Sequence, residues 1–147
     1  MIHDILTPDR ISVAESLTWE EAIRHAAAPL VADGSVLETY VDRVVQSVQE
    51  PDGTYMDLGF GVTLAHARPE AGALTTSLSI LTLRQPTLLA DAPDHPLSTV
   101  LFLAAADATS HQDALRELAA VLMDPQKRDV LTGASQAEDI IALFEAP

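Results

Sequence analysis

The sequence predicts an α/β protein: a three-layer α/β/α sandwich with a central mixed β-sheet. Three observations carry this reading. Ser98 to Ala106 is nearly all apolar, as a strand covered on both faces would be. Segments of helical periodicity lie at both ends of the chain with strand-like runs between them, and a sheet between two helical layers buries every one of these apolar faces. The tight runs around residues 54–83 suggest antiparallel neighbours, which makes the sheet mixed.

Arg10 to Ala14 alternates polar and apolar residues and reads as the first strand. Thr18-Trp19-Glu20-Glu21 is a capping box, with Thr18 as N-cap and Glu21 three residues on. Trp19, Ala22, Ile23, Ala26, Ala27 and Leu30 then make one helical face. Gly34 breaks the chain, and Ser35 with Glu38 repeats the capping pattern before a second helix, with Val36, Leu37, Tyr40, Val41, Val44, Val45 and Val48 as its apolar face. Pro51-Asp52-Gly53 is a turn, and Thr54 to Leu58 reads as a short strand. Gly59 and Gly61 bracket Phe60 and lead into the run Val62–His66. Leu74 to Leu83 is a strand with Leu78, Ile80 and Thr82 on one face, and Pro86 to Pro96 a loop with an acidic tip. Ser98–Ala106 follows. Ser110 and Asp113 cap the next helix, with a buried stripe of Leu115, Leu118, Ala119 and Leu122. Asp124-Pro125 opens a short helix with proline at its first position. Ser135 and Glu138 cap the last one, which buries Ala137, Ile140, Ile141 and Phe144. No repeat, low-complexity tract or linker divides residues 1–147, so a single domain is expected.

Composition narrows the function. Twenty-two acidic against eight basic residues give a net charge of −14. Nucleic acid, whose phosphates such a surface repels, is an unsuitable partner, and so is an anionic membrane. A basic protein partner is well served. The absence of cysteine excludes disulfides, thiolate catalysis and sulfur-ligated zinc. The longest unbroken apolar run, Val100 to Ala106, is too short to cross a bilayer, so no direct membrane insertion is expected. Met1-Ile2-His3-Asp4 lacks the basic region and apolar core of a signal peptide. A cytoplasmic location is expected.

Two histidines are the candidates for chemistry. His66 ends the apolar run Val62-Thr63-Leu64-Ala65, and Arg68-Pro69 must be extended because a residue before proline is pushed out of the helical region. His66 is therefore expected at the mouth of a strand, where a rigid scaffold presents it. His111 falls in the first turn of the helix capped by Ser110, in line with Leu115, Leu118 and Leu122, so it should face the sheet near the end of the Ser98–Ala106 strand. The N-terminus of that helix offers backbone N–H groups to an anion. A neutral imidazole is a nucleophile towards phosphorus; a second histidine and helix N–H groups can hold the phosphoryl oxygens, and Arg68 can add a bidentate contact. No Gly-rich Walker loop and no magnesium cage is evident, so no nucleotide, metal or other cofactor is expected. His3, His25 and His95 carry no such signal.

Trp19-Glu20-Glu21-Ala22-Ile23, Gly53-Thr54-Tyr55, Leu64-Ala65-His66-Ala67-Arg68-Pro69-Glu70 and Ala106-Asp107-Ala108-Thr109-Ser110-His111 occur in an order and spacing that resemble the enzyme IIA component of the bacterial phosphoenolpyruvate-dependent sugar phosphotransferase system, mannitol/fructose class, the ascorbate-type branch above all. The similarity runs from about Ile11 to Leu143. It implies an α/β/α fold with a mixed sheet, and a phosphoryl group accepted on His66 from the histidine-containing phosphocarrier protein and passed to a cysteine of an enzyme IIB during sugar uptake. It implies His111 in the same site, with Arg68 and Ser110 as phosphoryl-binding candidates. Two positions depart from the pattern. Ala65 stands where many relatives have proline. Ser47 and Gln49 stand near where mannitol and fructose members carry an active-site arginine late in the second helix, and Arg68 is the candidate replacement. Two other readings use the same residues: an IIA-like phosphorylation sensor that binds other proteins, and a metal-binding module with His66, His111 and Asp107 as ligands, which lacks a close-spaced ligand pair.

Overall fold

The computed structural model describes residues 1–145; the last two residues of the expected domain, 146 and 147, lie outside the described residues. Five strands form one mixed sheet: β1 (Ile11–Ala14), β2 (Asp57–Gly59), β3 (Val62–Ala65), β4 (Ser77–Leu88) and β5 (Pro96–Ala104). Their order across the sheet is β1-β4-β5-β3-β2. β1 runs parallel to β4 and β3 parallel to β5; β4 is antiparallel to β5 and β2 antiparallel to β3. The helices are α1 (Ile2–Ile5), α2 (Trp19–Ala32), α3 (Glu38–Gln49), α4 (Ala108–Leu122), α5 (Pro125–Gly133) and α6 (Ala137–Ala142).

The period-two alternation of strand side chains sorts the core into two layers. On one face Ala65, Leu81, Val100 and Phe102 pack against Ala22, Ile23, Ala26, Val44 and Val48 of α2 and α3. On the other, Val62, Leu64, Ile80, Leu101 and Leu103 meet Ala114, Leu118, Val121, Leu131 and Ile140 of α4, α5 and α6. This is the expected three-layer sandwich, and β5, like β3 and residues 77–83 of β4, is buried on both sides. The alanines of α2 let it lie close to the sheet, close enough for the Ser79 hydroxyl to donate to the Ala26 carbonyl. Both halves of the Thr18 capping box form: Glu21 N–H donates to Thr18 Oγ1 at 3.2 Å and Thr18 N–H to Glu21 Oε1 at 3.0 Å.

Several local expectations give way to tertiary contacts. Ser35 does not cap α3, whose N-cap is Leu37; the Ser35 hydroxyl is taken by Asp33 and by Arg10. Leu37 consequently points outward, 48% exposed, instead of joining the buried face. Only the end of the expected strand Thr54–Leu58 is extended: Gly53–Met56 forms a 3-10 turn and the strand starts at Asp57. β4 continues through Pro86 to Leu88, because the ladder is interrupted between Thr82 and Thr87, where a residue without an N–H costs no pairing. Asp107, not Ser110, caps α4, and Gln136, not Ser135, precedes α6. The stripe of α4 that is fully buried is Ala114, Leu118 and Val121; Leu115 and Leu122 are half-buried and Ala119 is exposed.

The β2–β3 connection is held at its tip. Gly59, Phe60 and Gly61 all have positive φ, of 88°, 58° and 78°, a run that the flanking glycines make tolerable. The Arg128 guanidinium of α5 lies 3.7 Å from the centre of the Phe60 ring, a cation–π contact, while its Nη1 donates to the Leu122 carbonyl at 2.9 Å.

Candidate functional site

Because β3 and β5 are parallel and adjacent, with Ala65 paired to Phe102, their C-terminal ends lie side by side. The chain leaving β3 begins with His66. The chain leaving β5 turns at Ala105–Asp107 into α4. Residues distant in sequence thus emerge side by side at the carboxyl ends of β3 and β5, the end of a parallel pair where α/β proteins place their sites.

His66 lies one residue past β3, with the Arg68-Pro69 step extended as expected (Arg68 φ −72°, ψ 147°). Its Nδ1 is 2.9 Å from the Leu64 carbonyl oxygen. A carbonyl only accepts, so Nδ1 carries the proton of the neutral ring and Nε2 keeps its lone pair. The ring of Tyr55 meets it edge-on, with centroids 5.9 Å apart and planes at 85°. His111, the fourth residue of α4, brings its ring to 5.9 Å from that of His66, tilted by 42°. Burial, and secondly the charge His66 would carry when protonated, hold the His111 pKa below its ordinary value. His111 therefore enters the site as a neutral ring with one N–H to donate.

The loop after His66 is tied down by Tyr40 of α3. The buried phenol donates to the Leu103 carbonyl at 2.8 Å and accepts from the Ala67 N–H at 3.0 Å. Burial pushes its pKa up to about 12, a displacement the Ala67 hydrogen bond opposes, so it stays a donor. Gly53 packs α3 against the turn that carries Tyr55. A Cβ there would stand 2.1 Å from the Val48 carbonyl oxygen and 2.3 Å from that of Ser47, so only glycine allows this approach.

These elements enclose an open cavity of about 740 Å³ lined by His66, Arg68 and His111, as well as by Arg43, Ser47, Glu50 and Tyr55. Among the described residues, Arg68 makes no ion pair or side-chain hydrogen bond, whereas Arg43 Nη1 lies 3.0 Å from Glu50 Oε1. Ser110 is not part of the lining. Its N–H donates to Asp107 Oδ1 at 2.8 Å, and this bond holds the Asp107 carboxyl below the usual carboxylate range. Of the N–H groups that the N-terminus of α4 was expected to offer to an incoming anion, that of Ser110 is already answered by the chain's own carboxylate. Among the described residues no three His, Asp or Glu side chains cluster as metal ligands.

Sequence reasoning brought His66, Arg68 and His111 to one place. It missed Arg43, Glu50, Tyr55 and the Tyr40 clamp. The available signal was the α3 periodicity: Tyr40, Arg43 and Ser47, at i, i+3 and i+7, share an edge beside the apolar stripe.

The chain matches the family model described as phosphoenolpyruvate-dependent sugar phosphotransferase system, EIIA 2, over residues 4–146. It is 34% identical over 145 residues to the mannitol-specific cryptic phosphotransferase enzyme IIA component of Escherichia coli, covering 96% of this chain and 97% of that protein. It is 28% identical to the ascorbate-specific EIIA component of Salmonella choleraesuis, covering 90% and 86%. The solution structure of the Escherichia coli mannitol-specific cryptic enzyme IIA superposes with a TM-score of 0.87 at 31% identity, over 98% of each chain.

Proposed function

Because the chain belongs to the EIIA 2 family of the phosphoenolpyruvate-dependent sugar phosphotransferase system, we propose that it is a cytoplasmic phosphocarrier acting through His66 Nε2. The phosphoryl group comes from the histidine-containing phosphocarrier protein and leaves to a cysteine thiolate of an enzyme IIB. In the first step the Nε2 lone pair forms the new N–P bond as the donor's N–P bond breaks, its electron pair returning to the donor imidazole. In the second the thiolate forms the S–P bond and Nε2 recovers its pair. The proton stays on Nδ1 throughout, donated to the Leu64 carbonyl.

One observation carries this reading: the hydrogen bond from Nδ1 to Leu64 fixes the tautomer and leaves Nε2 as the nucleophile, at a cavity shared with a second imidazole and two guanidinium groups. His111 donates to a phosphoryl oxygen while charge spreads over the group in transit. Arg68 adds a cation, and Ser110 serves the first turn of α4 rather than the phosphoryl group. The sugar never enters this cavity, because the phosphoryl group reaches it through the enzyme IIB. The names of the relatives point to a hexitol or ascorbate system.

Incubation with phosphoenolpyruvate, the general phosphotransferase enzyme and the phosphocarrier should add one acid-labile phosphoryl group by intact mass, and His66→Ala should abolish it; full labelling of that variant would overturn the assignment. His111→Ala should still label at His66, but with both half-reactions slowed about 100- to 1000-fold, the usual effect of losing one oriented donor. Wild-type rates would return His111 to a packing role.

A further inference from the structure

The sequence lacks an arginine at Ser47 or Gln49, late in α3, yet α3 delivers one to the cavity from a full turn earlier. We propose that Arg43 is the principal phosphoryl-binding cation of this site, ahead of Arg68, and that Glu50 holds it in reserve until the phosphoryl group arrives. This rests on the reading of His66 as the phosphorylated residue and adds to it a residue and an exchange of partners.

Three observations support it. First, Arg43 has a fixed base. It lies one turn beyond Tyr40, whose hydroxyl is bonded to the N–H of Ala67, the residue after His66. The α3 edge that carries Arg43 is thereby tied to the His66 loop, whereas Arg68 rides on that loop, exposed, with no side-chain partner among the described residues. Second, the guanidinium is already turned along the cavity: its Nη1 sits 3.0 Å from Glu50 Oε1 and 3.2 Å from Gln46 Oε1, and Glu50 also lines the cavity. Third, the present partner is easily surrendered. Arg43 and Glu50 are 44% and 53% exposed, and an ion pair so open to water contributes little. A phosphoryl group brings a nearly doubled charge and oxygens spaced for a bidentate guanidinium contact. The exchange therefore runs towards phosphate when His66 is modified and back to Glu50 when the group has left. Glu50 keeps the cation oriented in the resting state and, as an anion itself, discourages adventitious anions from occupying the site.

The test compares wild type, Arg43→Ala, Arg43→Lys, Glu50→Gln and His66→Ala. Three quantities are read: the initial rate of labelling through the phosphocarrier, the lifetime of the phosphorylated form, and the Arg43 Nε–H chemical shift before and after phosphorylation. Arg43→Ala should label at His66 about 10- to 100-fold more slowly, the range for one charge-assisted contact, and Arg43→Lys should recover part of the rate. Glu50→Gln, which keeps the side-chain length but frees the guanidinium, should label at least as fast as wild type. The Arg43 Nε–H signal should move on phosphorylation of the wild type. Wild-type labelling by Arg43→Ala, equal losses in Arg43→Ala and Glu50→Gln, or an unmoved Nε–H signal would overturn the proposal. Labelling that survives in His66→Ala would overturn the underlying reading instead, so the two failures are distinct. Should Arg43→Ala fold poorly by circular dichroism, the lysine and glutamine variants and the chemical shift decide alone.

Discussion

Replacing Tyr40 by phenylalanine removes one oxygen and leaves the rest of the core in place. The ring is buried, and its edge-on contact with Phe102, at 5.8 Å between centroids, survives. What is lost is the pair of bonds that join α3 to two strand ends: the donation to the Leu103 carbonyl and the acceptance from the Ala67 N–H. The Leu103 carbonyl is sealed in the core, and a buried group stripped of its partner costs ~1–3 kcal/mol. Ala67 is half-buried, so water can replace the phenol there and the loss is nearer a net hydrogen bond, ~0.5–1.5 kcal/mol. Together the variant should lose about 2–4 kcal/mol. At ~3–4 °C per kcal/mol for a chain of this size, that is a fall in melting temperature of roughly 6–16 °C. Urea unfolding should show a lower midpoint with an unchanged slope, since no extra surface is exposed. Labelling at His66 should slow without disappearing, because the ring is oriented by Leu64 rather than by Tyr40. A melting temperature within about 2 °C of wild type would mean that the phenol does not clamp the loop.

Two other outcomes can be checked with the same materials. Gly53→Ala should destabilise by ~1–3 kcal/mol or more, read by urea unfolding, because the new methyl group would meet the Ser47 and Val48 carbonyl oxygens at 2.3 and 2.1 Å; a neutral result would mean the turn under Tyr55 can shift freely. His111 has a pKa depressed in the folded state from its ordinary 6.5, by burial first and by His66 second, so below that pH the unfolded chain binds more protons there and stability falls with falling pH. His111→Gln should flatten the stability profile between pH 7 and the depressed value, and an unchanged slope would remove His111 from the linkage.

The legible parts of this molecule were those where local chemistry and tertiary need agree. Thr18 and Glu21 cap each other with no help from elsewhere, so their pattern could be read directly. His66 was placed at a strand end because Pro69 restricts Arg68 and an apolar run precedes it, both facts of neighbouring residues. Ser35 carries the same capping signature as Thr18, yet Asp33 and Arg10, the latter on the other side of α2, compete for its hydroxyl and win. At the start of α4 two capping residues stood three apart, Asp107 and Ser110, and only the backbone path out of β5 decides between them. Arg43 was out of reach for another reason. Its position follows from helix periodicity, but its role depends on Tyr40 joining α3 to a loop 27 residues away, and no pattern in the sequence announces that bond.

The Arg128–Phe60 contact has a consequence for how the protein is made. The hairpin that aims His66 is held at its far end by a guanidinium from α5, and Val62 and Leu64 are covered by side chains of α4, α5 and α6. None of these supports exists while the ribosome has delivered only the residues before α4. His66 leaves the ribosome before them, and its strand has no lid and its hairpin no anchor until α4, α5 and α6 follow. On the reading of His66 as the phosphorylated residue, a chain cut before α4 displays the His66 motif without its supports and should not be labelled through the phosphocarrier.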